Sequence, residues 1–339
     1  MNKIFYISKV IILFLIISTE TSCQKTSLLP KDDFYPRWLK SGEYHTDQTS
    51  GITFLGLNEF KDKVFLLADD IGTIHRLTIS KDTIFNFVKL IFSNEVEEFL
   101  SPLSKRDFEE IFFDKYTGSV YLSIEGNRPN PKRYAGIYKL TFNDFSPYSD
   151  TIIAIEKLDV QPETNFLKYI ENNIGFEGAA ADEKYFYFGL EGFQKNNRFA
   201  DSTILYVVDK KTLLIQKEIN TKDLGIATIC GLYSDKNNSL WGVDRNRQTI
   251  FHLEFDQNIS VINRRFLGFI SRIPNYPEIS YIAAIESITM DNNGYLYLVD
   301  DPWKQVYIPM DYILLKLDEE TINNFKNYIP VIYRYQLTK

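Results

Sequence analysis

Short apolar runs separated by polar turns recur along the chain, and five of them open in closely similar ways. The openings are Ser50-Gly51-Ile52-Thr53, Phe108-Glu109-Glu110-Ile111, Phe176-Glu177-Gly178-Ala179, Ile229-Cys230-Gly231-Leu232 and Ile285-Glu286-Ser287-Ile288. Each leads through a turn into a second apolar run that ends in acid: Val64 to Asp70, Val120 to Gly126, Phe186 to Gly192, Leu240 to Asp244 and Leu296 to Asp301. A period of about 55 to 70 residues lies in the range that marks propeller blades. Antiparallel neighbours set the start of one strand beside the end of the next, so both acidic points fall on one rim.

A third run follows in every unit: Thr73–Leu77, Gly136–Leu140, Ile204–Val208, Ile250–Leu253 and Tyr312–Leu317. More polar fourth runs follow these, such as Thr151–Ile155, Leu213–Ile215 and Ser260–Ile262, and the fifth unit closes with Pro330–Tyr335. Four short strands per unit predict an all-β fold, a β-propeller of five four-stranded blades. A sixth blade stays open, because residues from about Pro36 to Thr49 could supply further strands. A sandwich is the other all-β architecture, but it gives no reason for a repeated acidic rim. The turns at Asp114-Lys115-Tyr116-Thr117-Gly118, Asp235-Lys236-Asn237-Asn238 and Asp291-Asn292-Asn293-Gly294 carry residues that accept left-handed backbone, and they belong at the opposite end. Helical spacing of Phe166, Leu167 and Ile170 predicts one helix over 163–172.

The 339 residues suffice for one large β domain, and 15% aromatic content with 22 Tyr and 26 Phe suits strands. A net charge of −7 argues against a nucleic-acid partner. Near the N-terminus, Lys3 and Lys9 accompany a short apolar stretch, Val10 to Ile17, too short to span a bilayer comfortably. Thr21-Ser22-Cys23 follows, and the whole resembles a bacterial lipoprotein signal in which Cys23 becomes the lipidated first residue. Glu20 departs from that pattern, and an ordinary secretory signal or an uncleaved anchor is the alternative. The expected organisation is a signal over 1–22, a tether over 23–49 and the propeller over 50–339. Such a protein sits at the bacterial cell envelope on a lipid anchor, or else is secreted or periplasmic, and is expected to be a monomer. The other cysteine, Cys230, falls in a predicted inner strand as a small buried hydrophobe, and a Cys23–Cys230 disulfide would compete with lipidation. No Cys-x-x-Cys pair exists to build a structural zinc site.

First strands of propeller blades line the central channel, so Glu109, Glu177 and Glu286 should converge at one mouth as the catalytic candidates. Second-strand ends add Asp70, Glu125, Glu191, Asp244 and Asp300 or Asp301, with Asp300 taken as the metal-ligand candidate. Carboxylates brought together repel, and such a cluster persists if protonated, paired with bases or bound to cations. Calcium, with six to eight oxygen ligands, suits an acidic rim. Arg128, Arg133, Arg198 and Arg245 follow the acids on the rim loops and could hold a small anionic substrate. Against this stands plain structure: such acids also bond backbone or begin solvated turns, and such arginines bridge loops. His75 and His252, read as corresponding third-strand positions, point to packing rather than to a triad.

Gly175-Phe176-Glu177-Gly178-Ala179-Ala180-Ala181-Asp182, with Leu190-Glu191-Gly192, resembles the signature of phytase-like esterase domains. Asp107-Phe108-Glu109 with Ile124-Glu125-Gly126, and Ile285-Glu286-Ser287-Ile288 with Val299-Asp300-Asp301, resemble neighbouring blocks, and Thr49–Thr53 is similar to the start of SdiA-regulated propellers. Glu110 and Ser287 stand where that family has glycine. The resemblance implies an exported β-propeller with calcium and phosphoester hydrolysis. The alternative is a non-catalytic cell-surface propeller that uses the same acidic mouth for a ligand or protein partner.

Overall fold

Blade 3 shows how the sequence makes one unit. Its first two strands, Phe176–Ala181 and Tyr185–Leu190, are buried at every position, whereas its fourth, Ile215–Asn220, is largely exposed. Strands flanked by neighbouring blades lose solvent on both faces and therefore read as continuous apolar runs; the edge strand keeps its polar residues. In the computed structural model, which describes residues 27–28, 32–103, 105–126, 129–195, 198–302 and 307–337, five such sheets form a ring. The fold is a five-bladed β-propeller.

Blade 1 comprises Thr49–Leu57, Lys63–Asp69, Thr73–Ser80 and Ile84–Lys89, in that spatial order. Blade 2 comprises Phe108–Asp114, Ser119–Ile124, Gly136–Phe142 and Thr151–Lys157, and Ile91–Phe92 adds a short parallel edge. In blade 3 the third strand is Ile204–Asp209. Blade 4 comprises Gly231–Tyr233, Ser239–Asp244, Thr249–Phe255 and Val261–Gly268. The first strand of each blade touches that of the next around the ring, which leaves a narrow central channel. Glu109 and Asp114 lie at opposite ends of one inner strand, so the acidic openings and the Asp turns occupy opposite faces.

Blade 5 departs from the sequence reading. After Ile285–Met290 and Tyr295–Asp300 the chain leaves the sheet; Tyr312–Leu317, expected as a third strand, falls in a helical insertion that contains Asp311–Leu314 and Glu319–Lys326. The second helix starts where the Asp318 carboxylate accepts the Thr321 N–H at 2.7 Å, a cap that competes with strand formation. The true third strand is Val331–Gln336, read above as the fourth. The fourth comes from the other end of the chain: Arg37 and Trp38 pair antiparallel with Ile332 and Val331. Arg37 and Trp38 therefore close the fifth blade, and the described residues before 49 do not form a sixth.

The boundary at residue 50 moves accordingly. Residues 37–49 belong to the ring, with a hairpin of Lys40–Ser41 and Tyr44–His45, and Ser27–Leu28 runs parallel to Leu267–Gly268 on blade 4. The signal segment and Cys23 lie outside the described residues. The helix expected over 163–172 shrinks to Glu163–Phe166, whose Phe166 stacks on Phe176 at 4.3 Å. Among the described residues, no helix is long and apolar enough to cross a membrane.

Trp38 is buried at the closing seam and meets Phe325 edge-on at 4.9 Å. Because that single ring joins the closing strand to the insertion, Trp38→Ala should cost about 3–5 kcal/mol of stability. Urea unfolding of the two proteins measures it; a loss below ~1 kcal/mol would mean that closure does not depend on this contact.

Candidate functional site

Two backbone devices place acids on the channel mouth. The first is a β-bulge near the start of the inner strand. In blade 3, Phe176 pairs with Leu190 and Gly178 with Gly189, leaving Glu177 as the extra residue; Glu286 in blade 5 and Ser50 in blade 1 occupy the same position. Blade 2 breaks register between Phe108 and Ile111, at Glu109. A bulge turns its extra side chain out of the ordinary alternation, here toward the axis. The second device is a hydrogen bond just past the second strand. The N–H groups of Asp70, Glu125, Glu191 and Asp301 donate to the carbonyls of Gln48, Asp107, Gly175 and Ala284, each the residue before an inner strand. One further requirement is space: a Cβ on Gly175 would lie 2.5 Å from Glu125 Cγ.

The result is a cavity of about 220 Å³ lined by seven carboxylates (Asp70, Glu109, Glu125, Glu177, Glu191, Glu286 and Asp301) and by two bases, Lys105 and Arg245. Ser50, Asn173 and Tyr307 complete the wall. Both bases are engaged. Lys105 Nζ lies 2.5 Å from Asp70 and 2.8 Å from Asp107, while Arg245 donates to Glu191 and to Glu286. Five negative charges would remain if every lining group ionised, since seven acids face two bases.

Burial opposes that charge. It raises the carboxyls of Glu109, Glu125 and Glu177 well above the usual range, and the neighbouring acids add to the rise. Burial also pushes Asp70 up to about 6, against the pull of Lys105, and Glu191 up to about 7, against Arg245. Even so, several oxygens have no hydrogen-bond partner among the described residues: Asp70 Oδ1, Glu125 Oε1, Glu177 Oε2, Glu191 Oε2, Glu286 Oε2 and Asp301 Oδ1. A buried acceptor left unpaired costs about 1–3 kcal/mol, a cost that protons or a bound cation could offset.

Three groups of donors lie close enough to share an ion, with their atoms within 4.8 Å of one another: Glu125, Glu177 and Glu191; Asp70, Asp107 and Glu109; and Glu177, Cys230 and Glu286. Two ligands about 2.4 Å from one calcium can be no further apart than this. The first group consists of hard oxygen donors alone, as calcium requires.

The structure brings Glu109, Glu177, Glu286, Asp70, Glu125, Glu191 and Arg245 into one cavity. Asp244 and Asp300, expected among the metal ligands, are elsewhere. Each is the last residue of its second strand, one position before the channel-facing residue, and the two-residue alternation of a strand turns it away. Asp244 accepts from Ala227 N–H at 2.7 Å and Thr228 Oγ1 at 3.0 Å; Asp300 accepts from Val331 N–H at 2.5 Å and Tyr281 at 3.0 Å. Asp301 and Arg245 take the channel-facing places. Arg133 lies exposed over the Tyr134 ring, away from the cavity. Arg128 and the side chain of Arg198 lie outside the described residues.

Sequence reasoning missed Lys105, Asp107, Ser50, Cys230, Asn173 and Tyr307. Aligning the five openings column by column finds two of these, because Ser50 and Cys230 stand where other blades have Glu109, Glu177 and Glu286. The histidines do not correspond. His75 follows Thr73 by two residues and lies 2.8 Å from Asp69 and 2.6 Å from Tyr44, whereas His252 follows Thr249 by three and stacks on Trp241.

No family model matches the chain, and no curated protein does. Solved structures do resemble it. A luciferin-regenerating enzyme superposes with a TM-score of 0.50 at 15% identity, over 89% of this chain and 96% of that one. The GH43_1 enzyme from Xanthomonas citri, complexed with xylose, gives a TM-score of 0.50 at 10% identity, over 89% and 90%. At these identities the likeness speaks for the propeller fold alone. Fold and cavity together define a β-propeller with a buried acidic centre at one mouth.

The raised carboxyls fix a pH response. Between their unfolded values near 4 and their folded values of about 6 and 7, the folded protein holds more protons, so stability falls as pH rises through that window. In chelator the melting temperature should drop from pH 4.5 to 7.5, and calcium, by replacing the protons, should remove most of the drop. Scanning fluorimetry across that range checks both limbs; a flat profile in chelator is the contrary result.

Proposed function

We propose that the mouth is a divalent-cation centre and that the protein is a calcium-dependent hydrolase of small phosphoesters. It would work at the bacterial cell envelope, held by a lipid on Cys23. The observation that carries this reading is the set of unpartnered oxygens on Glu125, Glu177 and Glu191, three buried carboxylates whose donor atoms lie within 4.8 Å of one another. Like charges so close are tolerated with a cation between them.

Glu125, Glu177 and Glu191 would hold calcium, with Asn173 and water to complete its oxygen shell. Bound there, calcium supplies charge to bind and polarise a phosphoryl group. The chain's own residues supply the proton steps. Asp70, largely ionised above about pH 6, takes a proton from the attacking water. Glu109, whose proton affinity burial raises well above the usual carboxyl range, gives one to the departing oxygen. Two acids in one cavity with separated proton affinities are the usual basis for dividing such roles. As the new P–O bond forms from water, the ester P–O bond breaks, and the products are phosphate and alcohol.

A second reading draws on the state of the bases. Lys105 and Arg245 each bridge two carboxylates, so an anionic ligand would meet the bound cation rather than a bare base. That suits a binding propeller that captures ligands through calcium without turning them over.

One experiment separates the readings. Calcium at about a hundredfold over its Kd should stabilise the protein by about 2.7 kcal/mol. Glu177→Gln should shrink that gain and lower phosphoester hydrolysis in parallel, while Glu254→Gln, on the third strand of blade 4 and bonded to Asn263, should change neither. Calcium stabilisation without turnover of any phosphoester selects the binding reading. Equal calcium responses in wild type and Glu177→Gln would remove both.

A further inference from the structure

The bulge residues of blades 1, 2, 3 and 5 are Ser50, Glu109, Glu177 and Glu286, and Cys230, just before the inner strand of blade 4, aligns with them. Sulfur occurs once, and it occurs between two glutamates that are its neighbours on adjacent blades. Donor atoms of Glu177, Cys230 and Glu286 lie within 4.8 Å of one another. Each glutamate has one unpartnered oxygen, Glu177 Oε2 and Glu286 Oε2, on residues that are 9% and 7% exposed. The nearby guanidinium does not satisfy them, because Arg245 donates to the other oxygen of Glu286 and to Glu191.

We infer that Glu177, Cys230 and Glu286 form a second cation site, specific for a thiophilic divalent transition ion such as zinc. Glu177 belongs to both donor groups and would bridge this ion to the one held by Glu125 and Glu191. The bridging role rests on the calcium reading above; the sulfur site does not.

The chemistry of the donors divides the ions. Calcium takes oxygen and leaves a thiol alone. Transition ions bind a thiolate strongly, and on binding they release its proton to solvent. With one thiolate and two carboxylates facing a dication, the site carries the charge needed to hold it, and Arg245 remains as counter-ion to Glu191 and Glu286. Of the three donor groups at the mouth, this is the one that offers sulfur, so a thiophilic ion has a reason to prefer it that calcium lacks.

Cobalt(II) is the probe, since a cobalt–thiolate bond absorbs in the near-ultraviolet through sulfur-to-metal charge transfer. Purified full-chain protein, stripped with chelator, is titrated with cobalt(II). Wild type should develop that band, and zinc should abolish it by displacement. Cys230→Ser should bind cobalt without the band. Glu286→Gln should weaken cobalt binding by about tenfold or more. Glu125→Gln should keep the band while losing the calcium-induced thermal shift, which separates failure of this inference from failure of the calcium reading. Cobalt binding to wild type without the band, a band that persists in Cys230→Ser, or no cobalt binding at all would each overturn the sulfur site. Should Cys230→Ser prove misfolded by circular dichroism, the wild-type band and its response to Glu286→Gln decide the matter.

Discussion

Everything at the mouth follows from how closely five inner strands crowd one axis. Propellers commonly have four to eight blades, and five lies toward the tight end. The crowding is visible where neighbouring backbones meet: a Cβ on Gly51 would lie 2.6 Å from Ile111 N, and one on Gly231 would lie 2.6 Å from Ser287 Cα. With the channel wall so narrow, acids contributed by four different blades are forced within ligand distance of one another. Their desolvation, their raised proton affinities and their unpaired oxygens are consequences of that geometry rather than of any single side chain. Arg245 fits the same logic, since it is an internal cation at a place where the other blades carry acid.

Just below the mouth the ring is asymmetric in a way that joins two sequence oddities. Glu110 and Ser287 stand where blades 1, 3 and 4 have Gly51, Gly178 and Gly231, and they meet each other: Ser287 Oγ donates to Glu110 at 2.6 Å. The same hydroxyl accepts Ile52 N–H at 3.0 Å, and Glu110 also accepts Leu232 N–H at 3.3 Å. Burial holds the Glu110 carboxyl well above its ordinary range, relieved in part by these bonds. Blades 1, 2, 4 and 5 are thus tied by one carboxyl and one hydroxyl, each next in sequence to a glutamate that lines the cavity. Two departures that look independent along the chain are one interaction in space.

Much of this was legible in sequence because period and polarity report different things. The repeated opening gave the blade count, and Glu109, Glu177 and Glu286 shared an offset that the bulge explains. The second-strand acids were read less well. Asp69-Asp70 and Asp300-Asp301 are adjacent pairs, and one member of each faces the channel while the other anchors a turn; composition cannot tell them apart, and only the pairing register does. Asp244 and Arg245 divide in the same way: Arg245 faces the channel while Asp244 bonds Ala227 and Thr228. The Tyr312–Leu317 run failed because its apolar residues serve a helical insertion, with Ile313 and Leu317 buried and Leu315 left in solvent. Strands between about Pro36 and Thr49 were legible, but not that Arg37 and Trp38 close the fifth blade, because two residues carry no pattern that names their partner. Contacts such as Lys105 with Asp70 join separate blades, and no local pattern announces them.

That closing strand also sets the order of events in making the protein. Arg37 pairs with Ile332, a separation of 295 residues (332 minus 37), so the fifth sheet is the most nonlocal in the molecule. Loop-closure entropy must be met before such a contact is rewarded, and topologies of this kind fold slowly. During synthesis the first four blades can assemble while the ring is still an open arc with two bare flanks. The circle is completed once Val331 and Ile332 have emerged to pair with Trp38 and Arg37, and until blade 5 closes its acids are not held at the mouth. Maturation of the centre is therefore coupled to ring closure: an arc of four blades lacks the enclosed basin in which the carboxylates meet.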